Sequence, residues 1–238
     1  MDSSRVDRYW RVTFGSPPEQ YEREGVVVVP HPQKLAGRKG AWILSRGAKT
    51  AVIVPADMVA DVALRSKNLP PAAMLERVAV VNVFGREISR LVGPSYQGFL
   101  ERDGFRPSPD ASVRPLTPDD RATVAKFLNA RDEAERSDSG LTSDNPALFG
   151  RFEGETLVAL GGILPWASYA ANLGVIVHPL HRGRGFAKTV TSAVIEGILA
   201  QDKVVLYQTL LGNQAAVRLA ASLGCEEYAR MLYVGFAQ

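Results

Sequence analysis

The chain has 238 residues, of which 46% are hydrophobic and 22% charged, and its formal net charge is +3 at pH 7. This length allows one or two folded domains, and no apolar run is long enough to cross a bilayer. Cys225 is the only cysteine, which excludes an intrachain disulfide, and the three histidines lack the spacing of a zinc site. No signal peptide is apparent at residues 1–8, so we expect a cytoplasmic protein without a metal centre or a membrane partner.

The charge distribution gives no support for nucleic-acid binding. The first 110 residues carry 16 Lys and Arg against 12 Asp and Glu, and the remainder carry 12 against 13. No dense basic stripe with interleaved aromatic residues appears, although such a stripe is the usual footprint of a nucleic-acid module. We therefore expect no nucleic-acid partner, and the oligomeric state stays open.

The N-terminal half predicts a small α+β domain. Its β-branched and aromatic runs predict strands at 25–30, 41–45, 50–55 and 78–84, with an extension at 86–92. Residues 56–66 have a helical apolar period, which predicts a helix. Residues 35–41 contain glycine and positive charge but precede a strand, so we interpret them as a surface loop and not as a phosphate-binding turn.

A boundary between two domains is predicted near residue 110. Residues 105–115 have the density of proline and polar residues that is typical of a linker. The predicted domains are therefore an N-terminal α+β domain at 1–110 and a second domain at 111–238.

The most informative segment is 175–188, which passes from a strand through a glycine-rich turn into a helix. The β-branched run at 175–177 predicts the strand, and Pro179 ends it because proline has no N–H for a neighbouring strand. Apolar residues that recur every four positions predict the helix, namely Phe186, Val190, Val194 and Ile198.

The turn has the properties of a phosphate-binding site. Gly183 and Gly185 permit positive φ and leave the main chain open to ligand atoms. The first turn of a helix has free N–H groups and partial positive charge, which together favour a pyrophosphate. Arg182, Arg184 and Lys188 would add charge. Neither the dinucleotide fingerprint nor the P-loop fits, because a glycine is missing at Lys188 and no Gly-Lys-Ser/Thr follows.

A second motif lies further along the chain. Residues 204–208 predict a strand, and residues 215–223 predict a short helix that Gly224 ends. The turn satisfies the pattern Arg/Gln-x-x-Gly-x-Gly/Ala, and the second motif has Asn-x-x-Ala followed by Leu-Gly, with cysteine where an aromatic residue is usual. The residues that match are Arg182, Gly185, Ala187, Asn213, Ala216, Leu223, Gly224 and Cys225. With these motifs the chain resembles the GCN5-related N-acetyltransferase (GNAT) superfamily.

The resemblance covers the C-terminal half and implies an α/β fold with a mixed sheet. Residues 112–120 look like the family's opening strand and the start of its first helix, and residues 149–163 look like its strand–turn–strand hairpin, with the turn at 153–155. We thus expect a GNAT-type acyl-CoA N-acyltransferase fold preceded by a smaller α+β domain. The N-terminal half is a candidate for a reduced, non-catalytic relative of the same fold.

The resemblance also implies which residues bind acetyl-CoA. In the family the turn binds the pyrophosphate, and the strand before it splays from its neighbour and offers backbone amides to the thioester and the pantetheine arm. The positions that match are Val175, Ile176, Val177, Arg182, Gly183, Arg184, Gly185, Phe186, Ala187, Lys188, Asn213 and Ala216. Asn213 is expected near the pantetheine arm or the adenosine phosphates, and it is equally suited to cap the following helix.

The catalytic residues are less defined by sequence. A general base is expected in the acidic segment 132–138, where Glu133, Glu135 and Asp138 are candidates, although each also fits a solvated helix face. Many members of the family have a tyrosine acid where this chain has Ala220. Tyr228, Ser222 and Tyr207 are alternatives for the acid, as is water, and Tyr228 also fits ordinary packing. His178 and His181 fit packing, with proton transfer through His178 as a second interpretation.

The sequence therefore predicts an N-acetyltransferase that moves an acetyl group from acetyl-CoA to an amine of a small molecule or a protein. Direct attack on the thioester through a tetrahedral intermediate requires no covalent enzyme intermediate. The alternative is a non-catalytic acyl-CoA-binding or regulatory module. The acceptor is not predicted, although Phe149, Trp166 and Tyr169 are candidates for its pocket as well as for packing.

Overall fold

The computed structural model describes residues 4–14 and 23–237. The helices are α1 (Ser4–Phe14), α2 (Val59–Ser66), α3 (Arg77–Phe84), α4 (Arg121–Asn129), α5 (Glu133–Ser139), α6 (Phe186–Leu199) and α7 (Gln214–Ser222). The strands are β1 (Gly25–Pro30), β2 (Gly40–Arg46), β3 (Lys49–Val54), β4 (Ile88–Leu100), β5 (Val113–Pro115), β6 (Leu148–Glu153), β7 (Thr156–Ala167), β8 (Ala170–Val177), β9 (Val204–Leu210) and β10 (Glu226–Phe236). In the described part of the chain, no helix has the length and apolar character needed to cross a membrane.

Most of the predicted elements are confirmed, but the strand predicted at 78–84 is wrong because this segment forms helix α3. Its valines favour strands locally, but Val80, Val83 and Phe84 have helical spacing and are buried together in the core. Gly85 follows in the left-handed conformation and ends the helix. Tertiary packing therefore overrides the local preference of the valines. The extension predicted at 86–92 begins β4.

The chain divides into two compact units. We call Phe99–Tyr207 with Ala215–Glu226 the central unit. The terminal unit comprises the described residues up to Gly98, together with Gln208–Gln214 and the described residues from Glu227. The strands that lie mainly in each unit pair in both parallel and antiparallel directions, as the predicted fold class requires, and we call each set of strands the sheet of that unit.

The sheet of the terminal unit has the order β1-β3-β2-β10-β4. Strands β1 and β3 are parallel, whereas β2 is antiparallel to both β3 and β10. Helices α2 and α3 contribute to a core that includes Ile43, Val52 and Leu232, each fully buried. Helix α1, which was not predicted from sequence, contributes the stacked rings of Trp10 and Phe14.

The sheet of the central unit has the order β9-β8-β7-β6-β5. From β5 to β8 each strand is antiparallel to the next, whereas β9 is parallel to β8. Leu160 and Ile176 lie in one core cluster with Phe127 of α4, whereas Val158 lies in another with Val190 of α6. Helices therefore cover both faces of this sheet, which is the layered arrangement that buries two apolar sheet faces.

Helix α6 approaches the sheet closely at a glycine of β7. A Cβ on Gly161 would lie 2.6 Å from Val190 Cγ1 and 2.8 Å from Val194 Cγ2. The four apolar residues that predicted this helix, Phe186, Val190, Val194 and Ile198, are all buried. This packing fixes where the N-terminus of α6, and hence the glycine-rich turn, lies relative to the end of β8.

Candidate functional site

Strand β8 is paired along its whole length on one side and along only part of the other. Its pairing with β7 extends from Ala170 to Val177. Its pairing with β9 is limited to Ala170, Ala171 and Asn172. The remaining residues of β8 therefore have an open edge toward the β9 side among the residues that the structure describes.

Two backbone amides point toward this open edge. His178 donates its N–H to Val158 O at 2.9 Å, which fixes the alternation of hydrogen bonds between β7 and β8. In an antiparallel ladder every second residue directs its N–H away from the partner strand, so Val175 and Val177 direct theirs to the β9 side. The N–H of Leu173 is already bonded to Asn172 Oδ1 at 2.8 Å. Free amides on this edge thus begin at Val175.

The turn that follows has consecutive free N–H groups. Gly183 and Gly185 have φ of +75° and +82°, and a Cβ on either would meet nothing within 4 Å. Within the described structure, the backbone N–H groups of residues 183–187 donate no hydrogen bond. The first donors of α6 are Lys188 and Thr189, which both bond to Gly185 O. Successive free amides at a helix N-terminus form a cradle for phosphate oxygens.

Both arginines of the turn are held by carboxylates. Arg182 pairs with Glu135 of α5, and its Nε donates to Val177 O at 3.3 Å. Arg184 Nη2 lies 2.7 Å from Glu153 Oε1, at the tip of the β6–β7 hairpin. Their guanidinium groups are about half exposed, so these ion pairs are weak and can exchange partners. The turn therefore holds two positive charges close to the free amides.

A packed aromatic ring supports the turn from below. Phe186 is buried, and the Arg151 guanidinium carbon lies 3.5 Å from its ring centroid. Arg151 Nε donates to Asp110 Oδ2 at 2.8 Å. The Ser112 N–H, followed by this bond from Arg151, lowers the pKa of the Asp110 carboxyl. His181 stacks on Phe186 with a centroid distance of 6.3 Å. These contacts agree with the packing interpretation of His181.

His178 lies directly after β8. Its Nδ1 accepts the Leu180 N–H at 3.3 Å. Desolvation lowers the pKa of His178, and the nearby charges of Arg131, His181 and Arg182 lower it further. The imidazole is therefore neutral at pH 7, with its proton on Nε2 because Nδ1 accepts a hydrogen bond.

The three predicted base candidates all lie on α5. Glu133 and Asp138 are exposed, whereas Glu135 is partly buried and engaged with Arg182. Asp132 caps this helix by accepting the Glu135 N–H at 2.7 Å. The C-terminal end of α5 packs on β8, where Ser139 O occupies the space that a Cβ on Gly174 would need. The acidic segment is thus held beside the open strand.

The other predicted residues have different surroundings. Tyr228 lies in the terminal unit, where its hydroxyl donates to Asp7 Oδ1 and its ring stacks on Trp10 at 6.0 Å. Asn213 also belongs to the terminal unit and directly precedes α7, whereas Ala216 is in α7 and in the central unit. The position of Asn213 relative to the turn stays a prediction.

The positions considered from sequence for a general acid in the central unit are mostly inaccessible to solvent. Ala220 and Tyr207 are buried at 0% and 3% exposure, and Ser222 donates its hydroxyl to Leu219 O at 2.9 Å. Burial raises the pKa of Cys225 to about 12, so its thiol is not a nucleophile at neutral pH. Among residues 4–14 and 23–237, no group of three His, Cys, Asp or Glu residues is placed to hold a metal ion.

Two residues of this region were not singled out from sequence. Glu153 was interpreted only as part of a turn, yet it contacts Arg184, His181 and Arg151. Its position beside Gly154 gave no sign of this, because the contact depends on how the hairpin folds over the turn. Arg131 is buried at 8% exposure, and arginine is rarely buried, so the sequence gave no reason to expect it.

The chain is similar in part to known proteins. Residues 149–234 match the FR47-like protein family, which is related to the GNAT superfamily. A comparison with curated protein sequences gives no significant match. Among solved structures, a GNAT-family protein from Novosphingobium aromaticivorans superimposes with a TM-score of 0.52 and 22% identity, covering 65% of this chain and 69% of that chain.

Two further structures align less well. A GNAT-family acetyltransferase from Colwellia psychrerythraea has a TM-score of 0.48 and 17% identity, over 65% of this chain and 60% of its own. A GCN5-related N-acetyltransferase from Kribbella flavida has a TM-score of 0.48 and 16% identity, over 68% of this chain and 64% of its own. The chain thus spans less than two thirds of these two proteins.

These similarities define a class of fold. The C-terminal half has the fold of the GCN5-related N-acetyltransferases, and the predicted resemblance of this half to that superfamily is confirmed. The relation of the N-terminal half to the same fold stays a prediction.

Proposed function

We propose that the protein transfers an acetyl group from acetyl-CoA to an amine of a small molecule or a protein. The observation that carries this proposal is the run of free N–H groups at 183–187, directly after the open edge of β8. A pyrophosphate accepts hydrogen bonds from such amides, and the pantetheine arm then extends along the open strand edge. The amides and the edge are continuous, as an extended acyl-CoA requires.

The free amides of Val175 and Val177 support the transfer step. The amine nitrogen attacks the thioester carbonyl carbon, and the carbonyl oxygen gains negative charge. A backbone N–H directed at that oxygen stabilises the tetrahedral intermediate without needing to reorganise. The C–S bond then breaks, CoA leaves as a thiolate, and the amine proton passes to a base or to water.

The surroundings of the acidic residues favour a base that acts through water. Glu133 and Asp138 are exposed and therefore accessible to solvent, whereas Glu135 is paired with Arg182. Because Tyr228 donates its hydroxyl to Asp7, we propose that the CoA thiolate takes its proton from water. Glu133, Glu135, Asp138 and Tyr228 all stay candidates until each is substituted.

One observation favours the alternative of a non-catalytic acyl-CoA-binding module. Ala220, where many family members have a tyrosine acid, is fully buried and has no group to protonate a leaving thiolate. The proposal of acetyl transfer nevertheless stands, because a thioester leaving group has a low enough pKa to depart as a thiolate. A cytoplasmic location, predicted from sequence, is part of this proposal.

Calorimetry and a turnover assay test the proposal in sequence. Acetyl-CoA is titrated into the wild-type protein and into a variant with Arg182→Glu and Arg184→Glu. We expect binding to the wild type and loss of binding to the folded variant, because two positive charges beside the phosphates become negative. Release of free CoA is then measured with a panel of primary amines. Equal binding by both proteins would contradict the assignment of the turn, and binding without release for any amine would favour the non-catalytic module.

A further inference from the structure

Arg131 is a buried cation without an ion-pair partner. It lies between α4 and α5 and is only 8% exposed. Its Nε is fully enclosed and has no hydrogen-bond partner, and within the described part of the chain no carboxylate forms a salt bridge with it. Removing a guanidinium from water without supplying a counter-charge is costly, so this arrangement needs an explanation.

The protein itself compensates for this charge only weakly. The Arg131 guanidinium carbon lies 5.2 Å from the Phe127 ring centroid, which is a cation–π contact. This contact satisfies none of the N–H donors of the guanidinium. Arg131 donates its backbone N–H to Leu128 O at 3.0 Å, which fixes the backbone and leaves the side chain unchanged.

Other arginines of the central unit show the contrast. Arg151, at 14% exposure of its side chain, is bonded to Asp110 at 2.8 Å and lies 3.6 Å from Glu153. Arg182 and Arg184 of the turn are each paired with a glutamate, although both are far more exposed. Of these four arginines, the most buried one is therefore the one to which the described residues supply no carboxylate.

The location of Arg131 connects it with the proposed acyl-transfer site. Phe127, whose ring it contacts, lies in the same core cluster as Ile176 of β8. Besides desolvation, the charge of Arg131 lowers the pKa of His178 directly after this strand. The free amides of Val175 and Val177 belong to the same end of this strand. An anion bound to Arg131 would thus lie in the region where the proposed substrates meet.

We propose that Arg131 binds an oxyanion, either a carboxylate or a phosphate, that a substrate brings into the central unit. This inference rests on the proposed function and specifies its substrate class. The planar guanidinium offers parallel N–H donors that match the two oxygens of either group. The oxyanion belongs either to the amine acceptor, which would then be an amino acid or another amine with a carboxylate, or to the phosphates of the acyl donor.

The test compares variants for anion-dependent stability and affinity. Arg131→Met removes the charge and keeps a side chain of similar length. Arg131→Lys keeps the charge but lacks the parallel N–H donors of the guanidinium. Arg121→Met is the matched control, because Arg121 at the start of α4 is exposed and is paired with Asp144. Melting temperatures and calorimetric affinities are measured with inorganic pyrophosphate, acetyl-CoA and succinate, each at constant ionic strength. Succinate is also added to protein saturated with acetyl-CoA.

We expect at least one of these anions to bind the Arg131→Met variant roughly ten- to hundredfold more weakly than the wild type, as loss of a hydrogen-bonded charge pair implies. The affinity of Arg131→Lys should lie between those of the wild type and Arg131→Met, and the affinity of Arg121→Met should match that of the wild type. If pyrophosphate and acetyl-CoA bind more weakly to Arg131→Met than to the wild type, the oxyanion belongs to the phosphates of the acyl donor. If succinate binds more weakly to Arg131→Met than to the wild type, and does so also when acetyl-CoA is present, the oxyanion belongs to the amine acceptor.

Two results would overturn the inference. One is an equal response of the wild type and Arg131→Met to all three anions. The other is a large fall in melting temperature of Arg131→Met without added anion, because that would show an internal role for the charge. Neither result affects the binding of acetyl-CoA to the wild type, so failure of this inference is distinguishable from failure of the proposed function.

Discussion

Residues of the turn already have partners in the free protein, and ligand binding must exchange them. Arg182 is paired with Glu135, and Arg184 with Glu153. A pyrophosphate that approaches the free amides competes with these two carboxylates for the same guanidinium groups. The glutamates hold the arginines in place and at the same time reduce the positive charge that the phosphate meets.

Glu135→Gln is therefore expected to strengthen acetyl-CoA binding by a few-fold, since an exposed ion pair of this kind is worth about 0–1 kcal/mol. Calorimetry with acetyl-CoA checks this. Asp138→Asn is the control, because Asp138 is exposed on the same helix. The affinity of this variant for acetyl-CoA should not change. If Glu135→Gln leaves affinity unchanged and slows turnover, Glu135 acts as the base and not as a partner of Arg182.

At the level of single residues, the sequence predicted the residues of the site whose role follows from backbone geometry. Gly183 and Gly185 have the positive φ that the turn pattern indicated. Glu153 and Arg131 could not be predicted, because their contacts depend on the fold of a hairpin and on burial at a helix junction. A local pattern specifies a backbone conformation, but it does not specify which distant side chain lies beside it.

At the level of elements, the turn before α6 gives a prediction about acetyl-CoA binding. Gly185→Glu should abolish acetyl-CoA binding, because a carboxylate would occupy the open space above the free amides. The strain of positive φ costs about 1–2 kcal/mol. Gly47→Glu is a matched control, since Gly47 also has positive φ and open space but lies in the β2–β3 hairpin.

Both variants should lose similar stability in thermal unfolding, and calorimetry should show binding only for Gly47→Glu. Normal binding by Gly185→Glu would mean that the turn does not hold the phosphates.

The packing of α6 on β7 gives a prediction about stability. Gly161→Ala places a methyl group within 2.8 Å of Val190 and Val194, so the helix must move or the valines must leave their rotamers. Overpacking of this kind costs about 1–3 kcal/mol, which denaturant unfolding measures. Gly212→Ala meets nothing within 4 Å and should leave the free energy of unfolding nearly unchanged. Equal stability of the two variants would show that the core adapts freely at this contact.

Three helices show why sequence succeeds for some elements and fails for others. Helix α6 was predictable because its buried residues recur at a regular helical period over 14 residues. Helix α3 is only 8 residues long and rich in valine, so its local pattern favoured a strand. Helix α1 buries Val6, Tyr9 and Trp10, whose spacing is typical of an amphipathic helix, so this element also has a signal in the sequence.

At the level of the whole molecule, several ionisable groups make stability depend on pH in the same direction. Burial lowers the pKa of His31 and of His178 from 6.5, so the folded state binds their protons more weakly than the unfolded state does. Their contribution to stability is complete above about pH 6.5 and is lost as the pH falls toward the lowered values. Hydrogen bonds lower the pKa of Asp110 and Asp120 from 3.8, and their contribution is lost at still lower pH.

The melting temperature should therefore be nearly constant between about pH 7 and 8 and should fall progressively below about pH 6.5. Thermal unfolding across this range checks this, and His31→Gln should reduce the fall between about pH 6.5 and 5 because it removes one of the two histidines. A melting temperature that rises on acidification would contradict this account.

The organisation into domains is also a matter of the whole molecule. The sequence predicted domains at 1–110 and 111–238, and this division stays a prediction. In the structure, strand β10 belongs mainly to the terminal unit together with β1 to β4, although it is the last strand of the chain. A composition change near residue 110 predicts a linker, but it contains no information on which unit the last strand joins.

The most direct test of the central claim is a thermal-shift titration of the wild-type protein with acetyl-CoA, longer acyl-CoAs and NAD. A ligand that binds only the folded state raises the melting temperature with its concentration. We predict a concentration-dependent rise with acetyl-CoA and none with NAD. No rise with any acyl-CoA would contradict the account, because the free amides at 183–187 would then be a structural turn and not a binding site.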